Sequence, residues 1–252
     1  MKKIPLTVIF FLLLAKLAFA ETLTFVADPF CPYVCDEGAD QGIMFDIVRA
    51  VYQAQGYKVK TKIVPWKRAI DQVKNREATG ILGATSSTPD LLFPKEEIAV
   101  YIACFYVKKG NLWRYEDADS LSKITLGLVG GYDYGFGPVL DKHIQNNPTK
   151  VQFIFGLNAD ERNLMKIQIG RIDATITDRN IGGYLIKKNG WDNQIHEVSC
   201  FSDDKASIYV GFLEGLPESA HYAGIFDRGM AELRRTGKLQ VILEKYGITD
   251  WK

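Results

Sequence analysis

Metal-binding and hydrolytic signatures are missing from this chain. Its three histidines, His143, His196 and His221, stand apart from one another. Its four cysteines include no C-x-x-C pair, and the nearest two are Cys31 and Cys35. Structural zinc needs paired Cys or Cys/His ligands, so no metal centre is expected. No G-x-S-x-G elbow, H-E-x-x-H helix or Walker A lysine loop occurs. The glycine-rich run Gly130-Gly131-Tyr132-Asp133-Tyr134-Gly135 does not match the dinucleotide fingerprint G-x-G-x-x-G, and no cofactor is expected. Charge of one sign is not in excess either: 31 Lys+Arg face 30 Asp+Glu. Nucleic-acid binders concentrate a basic surplus, so no nucleic-acid partner is expected. There is no internal repeat to suggest a solenoid. After the N-terminus, no apolar run is long enough to cross a membrane.

The N-terminus itself is distinctive. A basic start, Met1-Lys2-Lys3, precedes a twelve-residue, predominantly apolar run from Ile4 to Ala15, interrupted only by Thr7, and Ala18-Phe19-Ala20 closes the segment with a small-x-small pattern. Residues 1–20 read as a signal peptide cleaved after Ala20, because the apolar run is shorter than the ~20 residues of a comfortable span. Cleavage removes three lysines and no acid, leaving 28 basic and 30 acidic groups in an exported, periplasmic protein. All four cysteines survive it. In an oxidising compartment they suggest disulfides, with three connectivities open. A local Cys31–Cys35 bridge is sterically feasible and would leave Cys104 and Cys200 to pair across 96 residues; buried free thiols are the alternative.

The remaining 232 residues alternate between strand and helix periodicities. Residues 23–27 read as a strand. Ile43, Met44, Ile47, Val48 and Val51 give helical spacing over 43–55. Residues 57–64 alternate, with Lys58, Lys60 and Lys62 on a solvated face. A helix over 66–75 and a short buried strand at 80–84 complete a β-α-β-α-β unit. The pattern returns with strands at 124–129, 151–155, 172–177 and 204–212. Helices alternate with them at 137–145, 159–169 and 181–188, the second capped by Asn158. Two closing helices, 219–235 and 238–246, break at Gly237. The fold class is α/β, in two halves.

Three places in this pattern bear chemistry. Trp66 follows a strand end, where open α/β sheets bind ligands, and offers a flat apolar floor. The glycine-rich turn ahead of the 137–145 helix could present free backbone N–H groups to an anion, or serve as a plain turn. Asp178 emerges at a strand's carboxyl end, suited either to a ligand's ammonium or to capping the next helix.

These pieces, in this order, resemble the family 3 bacterial extracellular solute-binding proteins, the polar amino-acid type of periplasmic binding protein that serves ABC importers. The matching residues are Gly42-Ile-Met-Phe-Asp46, Pro65-Trp66-x-Arg68-Ala69, Ala84-Thr-Ser-Ser-Thr-Pro89, Gly170-Arg-Ile-Asp173-Ala174, Asp178 and Gly237-x-Leu239 with Tyr246-Gly247. The resemblance implies two α/β lobes joined by two crossover strands, near 99–103 and 205–211, that close on a ligand like a hinged trap. Lobe 1 would comprise 21–102 plus 206–252, and lobe 2 would comprise 103–205. Cys104 and Cys200 then both fall near the hinge, which supports a bridge between them.

Position by position, the resemblance implies Asp28 and Phe30 as the lobe 1 acid and aromatic, and Trp66 as the ring that stacks on the ligand. Thr85 and Ser86 lie in its serine-rich segment, Tyr132, Asp133 and Tyr134 in the lobe 2 loop, and Asp178 is the ammonium-binding carboxylate. One position departs. Amino-acid binders of the family carry an Arg three residues after Thr88 to clamp the ligand's carboxylate, and here that residue is Leu91. Either Arg68 or another group supplies the charge, or the ligand is not a standard α-amino acid; the second is the expectation. Cys31-Pro-Tyr-Val-Cys35, Trp113-Arg-Tyr115 and Tyr246-Gly-x-x-Asp-Trp251 resemble a proteobacterial branch of the family.

The implied function is capture of a small polar solute, amino acid-like or an amine, for an ABC permease in the inner membrane, by a monomer. A sensory protein reporting ligand to a membrane receptor would use the same trap. A dehydratase-like enzyme on this scaffold would need a positioned acid/base pair, and catalysis is not expected.

Overall fold

A computed structural model describes residues 20–35, 40–132, 134, 138–201 and 206–252. The proposed signal peptide and the site candidate Asp133 lie outside the described residues, apart from Ala20. Two sheets organise the chain. The first runs β2-β1-β3-β11-β4, with β5 also on β11. Its strands are β1 (Thr22–Ala27), β2 (Lys58–Ile63), β3 (Gly80–Ala84), β4 (Leu91–Leu92), β5 (Ala99–Tyr101) and β11 (Ala206–Leu213). The second runs β10-β6-β9-β7-β8. It contains β6 (Ala103–Lys108), β7 (Leu126–Val129), β8 (Val151–Ile154), β9 (Ala174–Asp178) and β10 (Ile195–Cys200).

In the first sheet β1, β2 and β3 are parallel and β11 is antiparallel to β3. Helices α1 (Ile43–Gln53) and α2 (Trp66–Lys74) make the crossovers. The alternation read over 57–64 is the observed β2, whose lysines are exposed while Val59, Thr61 and Ile63 are half-buried. The apolar stripe of α1 is buried throughout, against β1 and against α7 (Pro217–Arg235). There Gly229 lets the helices approach: a Cβ on it would meet Val51 at 2.5 Å. The Tyr52 hydroxyl donates to the Tyr222 carbonyl at 3.0 Å across the same contact. Helix α8 (Lys238–Lys245) closes this core, and Tyr246 behind it donates its hydroxyl proton to Asp46 at 2.9 Å. The same phenol oxygen accepts the Gly42 N–H at 3.0 Å. The terminal motif is therefore structural: Trp251 donates to Glu97, and Asp250 receives Arg234.

The second sheet is wrapped by α3 (Ala118–Leu121), α4 (Pro138–Asn146), α5 (Ala159–Gln168) and α6 (Arg179–Asn189). Phe105, Leu126, Leu128 and Ile176 form part of its core. Asn158 stands at the start of α5 in left-handed conformation (φ 55°) but makes no side-chain cap, contrary to the sequence expectation. Periodicity does not reveal β6, because a strand buried at successive residues does not alternate, nor β5, which is three residues long, nor the edge strand β10, whose register is irregular between Glu197 and Ser199.

The chain passes between the sheets at Ile102 and again between Phe201 and Ala206. Both disulfides are formed. Cys31–Cys35 closes a small loop after β1, and Cys104–Cys200 joins neighbouring ends of β6 and β10.

Candidate functional site

Parallel strands present their carboxyl ends to one side, and the residues just beyond them are free to line a cleft. Asp28 follows β1, Trp66 opens α2 after β2, and Thr85 follows β3. In the second sheet β7 leads through Gly130-Gly131 to Tyr132. These ends face one another across a cleft of about 280 Å³. Asp28, Phe30, Trp66 and Thr85 line it from the first sheet, and Tyr132 and Ile181 from the second. Tyr101 and Ala206 line it from the two crossings.

The Cys31–Cys35 loop positions Phe30. Phe30 and Val34 exchange backbone hydrogen bonds, with Phe30 N–H to Val34 carbonyl at 2.9 Å. Its ring lies over Gly83, where φ is +92° and a Cβ would approach the ring to 2.9 Å. Tyr33 beside it is buried and donates to the Val100 carbonyl at 3.1 Å, while accepting from Asn180 Nδ2 at 2.8 Å. One phenol thus touches the first lobe, a crossing strand and a helix of the second lobe.

Asp28 is the charged residue on the wall, and it is 5% exposed. Its Oδ2 accepts the Tyr132 hydroxyl at 2.9 Å, a bond that spans the cleft from lobe to lobe. Its Oδ1 is buried and no protein donor among the described residues reaches it. Burial pushes the Asp28 pKa up to about 6, and the Tyr132 phenol pulls the other way.

Asp178 stands behind the wall, fully buried. Its Oδ1 caps α6, accepting from the N–H groups of Asn180 (2.9 Å) and Ile181 (3.2 Å). Its Oδ2 accepts the Ile102 N–H at 2.8 Å. Of its two sequence-derived roles, capping is the one whose contacts are present. Burial still pushes its pKa up to about 6 against these donors.

The other candidates divide. Thr85 lines the cleft, with its hydroxyl 2.7 Å from that of Ser87; Ser86 is exposed and off it. Arg68 is exposed on α2 and does not line the cleft. Tyr134 is buried below it, its phenol oxygen accepting the Val129 N–H at 2.6 Å. Leu91 points into the sheet core, with Cδ1 at 2.7 Å from where a Cβ on Gly211 would sit. Among the described residues, no Lys or Arg lines the cleft.

Thr88, inside the serine-rich segment matched from the sequence, lines the cleft, whereas sequence reasoning missed Tyr101 and Asp160. Tyr101 lies in β5, within the first crossover that the resemblance places near 99–103, where no single residue stood out. Asp160 sits in the first turn of α5, buried, with no motif to mark it. Burial, followed by the charges of Asp28 and Asp178, pushes its pKa up to about 7. Among the described residues, the one cluster with metal-ligand spacing is Cys104, Glu197 and Cys200, and both of its sulfurs are in the disulfide.

Known structures share this architecture. A histidine kinase sensor domain with similarity to periplasmic binding proteins superposes with a TM-score of 0.76 at 16% identity, covering 90% of this chain and 96% of that chain. An ancestral arginine-binding protein bound to arginine gives 0.75 at 18% identity, covering 90% and 98%. A chain from the GshT and cystine importer TcyBC system of glutathione import in Streptococcus mutans gives 0.74 at 18%, covering 90% and 95%. No curated protein sequence matches. The family profile that does match, over residues 24–249, describes the bacterial extracellular solute-binding proteins, family 3. With its two-lobed α/β fold and a cleft between facing strand ends, this chain belongs to that family.

Proposed function

We propose that the protein captures a small polar solute, amino acid-like or an amine, between its two lobes and delivers it to an ABC permease of the inner membrane. It works in the periplasm as a monomer, after loss of residues 1–20. The observation that carries this reading is the Tyr132–Asp28 hydrogen bond, which joins the lobes across a cleft of ligand size. Lobe 1 supplies Asp28, Phe30, Trp66 and Thr85, and lobe 2 supplies Tyr132 as the closing residue. Trp66 forms part of the apolar floor, and the Thr85 hydroxyl adds a polar contact. No reaction is assigned to the site, and the acids bind or brace.

A thermal-shift screen against amino acids, amines, carboxylates and short peptides tests the reading. A ligand at about 100 times its Kd adds roughly 2.7 kcal/mol of stability. The shift should vanish in Trp66→Ala, and stabilisation that survives this change would exclude the cleft as the site. Product formed from a prephenate-like substrate would overturn the binding assignment.

A second reading has a specific support, the likeness to a histidine kinase sensor domain. In it the closed form docks on a membrane receptor. Ligand-dependent stimulation of ATP hydrolysis by the reconstituted permease favours import, and its absence with a receptor that responds favours sensing.

A further inference from the structure

The Asp28 carboxylate is divided between two tasks. Oδ2 is held by Tyr132 from the opposite lobe, and Oδ1 lies buried with no protein donor among the described residues. A buried carboxylate oxygen without a donor is costly, more so than a neutral acceptor. The rest of the wall includes the aromatic residues Phe30, Trp66, Tyr101 and Tyr132, together with Thr85. No cationic side chain among the described residues lines it. Behind it stand two more buried acids, Asp160 and Asp178, close enough to act on each other electrostatically. A ligand carboxylate entering here would meet this negative field with no guanidinium or ammonium to offset it. A ligand cation would meet a wall whose one charged residue among those described is Asp28, set among aromatic rings that attract positive charge.

Resting on the solute-binding reading of this cleft, we propose that its ligand is a small organic cation without a carboxylate: a protonated amine or guanidine whose N–H donates to Asp28 Oδ1. Charge recognition is then tied to closure. Tyr132 completes one oxygen only when the lobes meet, and the ligand completes the other. Closing on an anion leaves Oδ1 without a donor and adds repulsion.

Isothermal titration of the oxidised protein with matched pairs tests this. Each pair is an amine and the amino acid that differs from it by one carboxylate: histamine and histidine, agmatine and arginine, cadaverine and lysine, phenethylamine and phenylalanine. The tightest ligand of the set should be an amine, exceeding its amino acid by at least about tenfold. Asp28→Asn should weaken that amine by at least about tenfold. Its thermal transition and far-UV spectrum check that the variant folds, and the pair comparison on the unaltered protein stands without it. An amino acid as the tightest ligand overturns the inference, as does unchanged amine binding in a folded Asp28→Asn protein. If that amino acid loses its binding in Trp66→Ala, the solute-binding reading survives the failure. Silence from every amine also overturns the inference, and silence from the wider thermal-shift panel as well overturns the reading beneath it.

Discussion

Asp178 holds three backbone N–H groups at the point where one crossing strand meets α6. Asp178→Ala would strip the helix cap and leave the Ile102 N–H without an acceptor. The expected loss is about 2–4 kcal/mol, read by urea denaturation of the ligand-free protein. The buried acids also set a pH dependence. Asp28 and Asp178 titrate near about 6 and Asp160 near about 7 in the folded protein, against 3.8 for the unperturbed group. Their folded values are raised, so folding takes up protons between the two. Stability is greatest below about pH 4 as far as these groups decide it, and is lost as pH rises through about 7. Thermal melts of the ligand-free protein should show this decline, and Asp160→Asn should flatten it and gain about 1 kcal/mol or more at pH 8. At this scale the sequence was only partly legible. Trp66 was readable because it follows a strand end, while Asp28 and Phe30 came only through the family resemblance. Asp160 was not, because a lone acid in a helix's first turn looks like ordinary dipole compensation. Asp178 was readable as a position but not as a role, since a cap and a ligand contact call for the same side chain.

The two disulfides act on different elements, and their losses should separate. Cys104–Cys200 closes a long loop across the second sheet, and chain entropy assigns it ~5 kcal/mol against ~2 for the short Cys31–Cys35 loop. The double Ser variant of the first pair should lower the melting temperature more. The double Ser variant of the second pair should keep more stability but bind ligand more weakly, because it frees the loop that aims Phe30 over Gly83. Equal effects on affinity would refute this division. Helices α1, α2, α5, α6, α7 and α8 and most strands followed from apolar spacing. The crossing strand β5 did not, being only three residues long, nor did β6, because a strand buried at successive residues carries no alternation. Leu91 marks the limit of motif transfer: the position matches, but its side chain is spent on core packing.

Two lobes joined by two crossings should move as bodies, with closure held by Tyr132–Asp28 and Asn180–Tyr33. Tyr132→Phe removes the first of these and leaves the floor of the cleft intact. It should weaken ligand binding by about tenfold, chiefly through faster release seen by stopped flow. Small-angle scattering should then show less ligand-induced compaction than in the unaltered protein. Residue order carries one more consequence at this scale. Strand β11 inserts between β3 and β4 of the first sheet, yet 121 residues separate it from β3. A polypeptide threaded N-terminus first through a translocation pore presents β1, β2 and β3 early, with one flank of β3 bare. The intervening stretch, which holds all of the second sheet, emerges as an unbroken run and has every strand it needs. It is free to fold while the earlier segment waits. Bare strand flanks invite pairing with other chains, so the interval before residues 206–213 arrive is when a newly exported molecule is most exposed to aggregation and most in need of a holding chaperone.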